Sequence, residues 1–164
     1  MSILRKTMIV SAAAVLAAGL STAVSAAELR MSSQWTENTA GAKVDKWWAS
    51  EIEKRTKGEV KIKIFWAGVL GKAKENLGLI QQGAIELAAM SPGYFPAELP
   101  FHAAPNSIPM AMSRVDHATA LMERQLTEGP EFDMEAKRNG MKALFMHHLN
   151  PYQLVCKDHI KSLA

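Results

Sequence analysis

The sequence predicts an α/β fold in which a parallel-rich sheet is flanked by helices. Stretches with two-residue hydrophobic alternation take turns with stretches of helical period, in the order strand, helix, strand, helix, strand. Glycines close the helical stretches, at Gly58 and Gly83. A composition of 48% hydrophobic and 21% charged residues over 164 positions supplies apolar material for one core.

Glu28 to Ser33 (ELRMSS) forms the first predicted strand, and the polar QWTENTAG leads into a helix over Ala42 to Thr56. Val44, Trp47, Trp48 and Ile52 recur there at i, i+3, i+4 and i+8, which predicts an apolar stripe that buries both tryptophans. Lys54, Arg55 and Lys57 suit the negative end of that helix. Glu59 to Trp66 (EVKIKIFW) alternates strictly, with Val60, Ile62, Ile64 and Trp66 on one face. After the turn at Gly68 to Lys72, a helix is expected over Ala73 to Gln82 and a strand over Ala84 to Met90. Pro92, Pro96, Pro100, Pro105 and Pro109 then predict an ordered loop or short turns without a regular helix or central strand. A helix resumes at Ser113, whose spacing to Asp116 resembles a capping box, with Val115, Ala118, Leu121, Met122 and Leu126 as its buried stripe. A second helix spans Glu131 to Asn139. Met141 to Leu149 and Tyr152 to Asp158 complete the expected strands. No internal repeat or low-complexity tract interrupts this order.

Residues 1–26 stand apart from that domain. Arg5 and Lys6 precede a 13-residue apolar run, Met8 to Leu20, and the small residues STAVSAA follow. This is the pattern of a cleaved secretory leader, and the run is shorter than the roughly 20 residues of a membrane span. Cleavage is expected after Ala26. Without Arg5 and Lys6 the chain has 17 basic and 16 acidic residues, so its charge calls for neither nucleic acid nor an anionic membrane surface. Cys156 is the only cysteine, which excludes an internal disulfide and fits a small buried thiol. Export without disulfides points to a bacterial periplasm.

Several chemical patterns fail on spacing. A phosphate loop needs two glycines separated by four residues, then Lys and a hydroxyl residue. Gly68 and Gly71 are separated by two, and Ala73 stands at the hydroxyl position. The surviving expectation is a strand, a glycine turn and a helix N-terminus whose free amides can face an anion. No histidine pair has metal-ligand spacing, and His147 and His148, adjacent in a strand, would point to opposite faces. Glu131, Asp133 and Glu135 fit a solvated helix start better than an acid-base pair. No nucleophile motif occurs, and no metal or cofactor is expected. Trp35 and Tyr94 each follow a predicted strand at its carboxyl end, where open α/β sheets bind ligands. Each serves either as a ligand platform or as an aromatic cover over the sheet.

The run GVLGKAKENLGLIQQGAIELAAMSPGYFPAELP resembles the first lobe of DctP-type solute-binding subunits of tripartite ATP-independent periplasmic (TRAP) transporters. Leu70-Gly71, Gln81-Gln82-Gly83, Ile85 to Met90 and Tyr94 to Pro100 match that family's features in order. The resemblance extends back through KWWASEIEKRTKGEVKIKIF and forward through MKALFMHHLNPYQLVCKDHIKSLA. It implies a type II-like periplasmic-binding-protein lobe over residues 27–149. Residues 150–164 would be a crossover strand and the start of a second lobe.

The resemblance also implies a non-enzymatic receptor that captures an organic acid between two lobes and delivers it to a TRAP membrane permease. The mature protein would insert in no membrane. Gln34, Trp35, Gly68, Lys72, Ser91, Tyr94 and His148 are the ligand-binding residues that it implies for the first lobe. Lys72 would act as a point cation. The family's carboxylate-clamping arginine belongs to the second lobe, so the chain is expected to be a truncated fragment with little or no measurable carboxylate affinity of its own. In-frame coding sequence beyond Ala164, or micromolar binding by calorimetry, would decide that expectation. A receptor for an ATP-driven importer, or a periplasmic domain of unrelated enzymatic function, is the alternative; a permease pair rather than an ATPase encoded beside the gene separates the two transporter types.

Overall fold

The structure, a computed structural model, describes residues 26–108 and 114–146. Three strands, β1 (Ala27–Ser33), β2 (Val60–Phe65) and β3 (Leu87–Ala89), form one sheet in the order β2-β1-β3. Both pairings are parallel, with Met31 of β1 opposite Ile64 on one side and Leu87 on the other. The central position of β1 explains why Met31, Ser32 and Ser33 are all buried, although only the first is hydrophobic.

Helices lie on both faces. On one, α1 (Ala40–Arg55) and β2 enclose a hollow of about 290 Å³ lined by Lys46, Ala49, Ser50, Glu53, Ile62, Ile64 and Trp66. On the other, Ser32 Oγ donates to Asn76 Oδ1 of α2 (Asn76–Gln81) at 2.7 Å, fully buried. Leu77 of α2 joins Phe95 and Leu99 in the core cluster, with Met90 and Met141 packed against it. Beyond β3 come a 3₁₀ turn at Pro92–Tyr94, α3 (Pro100–Ser107), α4 (Val115–Glu128) and α5 (Pro130–Arg138). No described helix is long and apolar enough to cross a membrane.

The parallel order agrees with the sequence, but several local expectations do not. The buried residues of α1 are Gly41, Ala42 and Asp45, while Val44 and Trp47 are exposed, Trp47 by 62%. Small residues let the helix approach its neighbours, which turns the bulky Val44 and Trp47 outward; Trp48 remains half-buried against Phe145, ring centroids 5.0 Å apart. A regular helix, α3, does form in the proline-rich stretch. Pro100 occupies its first turn, where no N–H is needed, and the eight-residue helix accommodates Pro105 inside it.

The expected capping box cannot be placed within the described residues. Ser113 lies outside the described residues, Arg114 is the N-cap without a capping side chain, and Asp116 is bound instead by the Arg114 guanidinium at 2.6 and 3.1 Å. Of the stripe assigned to α4, only Ala118 is buried; Val115 and Leu121 are exposed. Residues 141–146 are not a strand, having no ladder partner among the described residues. The predicted strand over 152–158, Cys156 and all but the last residue of the 1–26 leader lie outside the described residues.

Candidate functional site

Because all three strands run parallel, the segments after β1, β2 and β3 leave the sheet at one edge. Gln34 and Trp35 follow β1 directly, Gly68 and Lys72 follow β2, and Ser91 and Tyr94 follow β3. Backbone hydrogen bonds tie the first two segments together. Ala67 N–H donates to Trp35 O at 2.8 Å, and Gly68 N–H to Ser33 O at 2.9 Å. Trp35 N–H in turn donates to Ser33 Oγ at 3.3 Å.

The β2 turn owes its shape to two residues with positive φ, Ala67 (55°) and Gly68 (72°), closed by Val69 N–H to Trp66 O at 3.2 Å. Positive φ at both central positions is the type I′ pattern and favours glycine. At Gly68 a Cβ would also approach the Gly71 carbonyl to 3.2 Å. The expected helix start at Ala73 is delayed to Asn76, since Glu75 closes a separate turn: its carboxylate accepts Lys72 N–H at 2.8 Å, and its own N–H donates to Lys72 O at 2.8 Å. The amides of Gly68, Val69 and Lys72 are therefore engaged within the chain. Those three amides are not available to an anion, whereas the exposed Lys72 ammonium, which forms no ion pair among the described residues, is.

Gln34 Oε1 is buried and has no hydrogen-bond partner among the described residues. A buried acceptor without a donor is costly, about 1–3 kcal/mol, and such groups in native proteins call for an explanation. Ser91 O accepts Tyr94 N–H at 3.2 Å, so the 3₁₀ turn holds both residues in one unit, with Tyr94 47% exposed. The structure thus brings Gln34, Trp35 and Gly68 together through backbone bonds and places Lys72, Ser91 and Tyr94 on the same edge of the sheet. His148 lies outside the described residues. The hollow between α1 and β2, and a second one where α4 meets α5, include none of the assigned residues. No cluster among the described residues could hold a metal ion.

One polar constellation escaped the sequence. Glu135, expected to be solvated, is completely buried. Its carboxylate accepts the backbone N–H groups of Phe101 at 2.7 Å and His102 at 3.0 Å, and Nδ1 of the buried His102 ring contacts the same group. His102 Nε2 is buried without a hydrogen-bond partner among the described residues. Burial raises the Glu135 pKa, but the hydrogen bonds from the His102 side chain and the two amides outweigh it, and the net shift is downward. An acidic residue four places after Glu131 carries no sequence mark of burial; the available signal is that α3 has no capping residue of its own.

Comparisons with known proteins agree with the parallel α/β fold. Residues 31–155 match the family described as bacterial extracellular solute-binding protein, family 7 (DctP). No curated protein sequence matches. Among solved structures, the chain is similar to a TRAP periplasmic solute-binding protein from Sulfitobacter sp. NAS-14.1 with bound β-D-galacturonate, at 21% identity and a TM-score of 0.59, covering 69% of this chain and 37% of that one. A Bordetella pertussis extracytoplasmic solute receptor binding pyroglutamic acid matches at 19% identity and a TM-score of 0.60, covering 70% and 37%. A TRAP solute-binding protein from Ochrobactrum anthropi matches at 17% identity and a TM-score of 0.63, covering 71% and 36%. The chain spans little more than a third of the length of these receptors. The family model spans most of the chain, and the chain belongs to the DctP family of bacterial extracellular solute-binding proteins.

Proposed function

We propose that the protein is exported by a leader over residues 1–26 and serves in the periplasm as the first lobe of an organic-acid receptor for a TRAP permease. The observation that carries this proposal is the convergence of the segments after β1, β2 and β3 at one sheet edge, with the unpartnered acceptor of Gln34 among them. The matched receptors bind galacturonate and pyroglutamic acid, and a related one binds glucuronate, which supports a small carboxylic acid as the ligand here.

In this role Gln34 accepts a hydrogen bond from a ligand hydroxyl or amide, and Trp35 and Tyr94 offer flat apolar surface. Lys72 attracts the carboxylate as a point cation; it does not provide the bidentate geometry of an arginine. Gly68 keeps the turn low enough for close approach. A second lobe closes over this edge by hinge motion and completes the coordination, so one lobe alone binds weakly. Ligand-detected NMR tests the class of ligand. Millimolar galacturonate, glucuronate and pyroglutamate are expected to show saturation transfer from the protein, and galactose and glucose to show none. Transfer to the neutral sugars alone, or to none of the five, would contradict the proposal.

A further inference from the structure

The segment leaving β3 is gripped by α5 at two points. Glu135 accepts the first amides of α3, and Asn139, four residues on and so on the same helical face, donates from Nδ2 to Glu98 O at 2.8 Å. The grip is needed because α3 starts without a local cap: Leu99 at its N-cap offers no capping side chain, and Pro100 has no N–H. A carboxylate from more than 30 residues downstream takes the place of the cap, at the helix end where negative charge is favoured.

From there the connection runs back to the carboxyl edge of the sheet. Ala103 N–H donates to Leu99 O, Leu99 N–H to Phe95 O, and Phe95 N–H to Pro92 O, at 2.8, 2.8 and 2.9 Å. The far turn of α3 also rests on the 3₁₀ turn, since a Cβ at Gly93 would come within 2.9 Å of Asn106 Nδ2. The 3₁₀ turn and α3 thus form one continuous hydrogen-bonded unit, and the fully buried Glu135 carboxylate is its main polar anchor.

We propose that Glu135 is a positioning residue for the lip of the ligand cleft: its carboxylate fixes α3, and α3 through Asn106 fixes the Ser91–Tyr94 turn. That this turn borders a ligand cleft rests on the receptor function proposed above; the mechanical coupling does not.

Amide hydrogen exchange on the purified protein, followed by NMR without any ligand, tests it. In Glu135→Gln the amides of Phe101, His102, Tyr94 and Phe95 are expected to exchange about tenfold faster or more, with those of β1 and β2 unchanged. In Asn106→Ala, an exposed site outside the anchor, Tyr94 and Phe95 are expected to accelerate while Phe101 and His102 keep their wild-type rates. Unchanged Tyr94 and Phe95 rates in either variant, or equal acceleration throughout the sheet, would overturn the proposal. If Glu135→Gln does not fold, the Asn106→Ala result decides alone. Since no ligand takes part, a failed organic-acid assignment leaves this outcome intact.

Discussion

Replacing Glu135 by Ala is expected to be among the most damaging single changes in this chain. The substitution removes the fully buried acceptor for Phe101 N–H, His102 N–H and the His102 ring. Each buried donor left unpaired costs about 1–3 kcal/mol, and Glu135→Ala strands more than one. Because the methylene stem of Glu135 is lost too, the whole effect is placed at about 3–5 kcal/mol. That is a large share of the roughly 5–15 kcal/mol that holds a domain of this size together. With a urea slope of about 2 kcal/mol per molar, the unfolding midpoint would fall by about 2 M. The effect depends on pH with a definite sign. The Glu135 pKa is lower in the folded than in the unfolded chain, so its contribution is complete above the unfolded carboxylate value and is lost as pH falls through the folded one. Urea melts of wild type and Glu135→Ala at pH 7 and near pH 3 measure this. A gap below about 1 kcal/mol at pH 7, or one that acid leaves unchanged, would refute the assignment of Glu135 as a buried anchor.

Three further changes probe other links. Leu99, fully buried in the core cluster with Leu77 and Phe95, is expected to cost about 2–5 kcal/mol when cut to Ala, measured by the same melts; a loss under about 1 kcal/mol would show that the cluster is not the core. Gly68→Ala places a Cβ at φ 72° and 3.2 Å from the Gly71 carbonyl, and is expected to cost about 1–2 kcal/mol, while a neutral result would deny the left-handed turn. Glu86, held down to about 2 by the side-chain and backbone hydrogen bonds of Arg30, is expected to titrate near the ordinary carboxylate value in Arg30→Ala, as read by side-chain NMR. An unmoved titration would mean that the pair does not form in solution.

The sheet was legible because its signal is local. Strict alternation over Val60 to Phe65 and the glycine that ends each helix are properties of neighbouring residues, and they placed the strands in a parallel order. β3 is shorter than the predicted strand over Ala84 to Met90: Ala84 N–H turns back to Leu79 O, and the ladder with β1 covers Leu87–Ala89. What stayed hidden depends on distant partners. The stripe of Val44 and Trp47 was apolar enough to suggest burial, yet the helix faces inward with Ala42 and Asp45, which no hydrophobic periodicity marks. Glu135 looked like a surface residue of a helix start until α3, which lacks a cap, was set beside it. The same holds at the candidate site. Gln34, Gly68 and Ser91 were assigned through the family resemblance, whereas the capture of Lys72 N–H by Glu75 depends on a side-chain conformation that spacing alone does not reveal.

The proposed receptor function makes the edge formed by the segments after β1, β2 and β3 the ligand-facing wall. Chemical-shift mapping of the ¹⁵N-labelled protein during titration with millimolar galacturonate or pyroglutamate tests it most directly, because weak binding by one lobe still moves resonances. The expected result is a set of shifts confined to Gln34, Trp35, Gly68, Lys72, Ser91 and Tyr94 and their immediate neighbours. Shifts clustered instead at the hollow between α1 and β2, or no shift at that edge with either acid, would contradict the account.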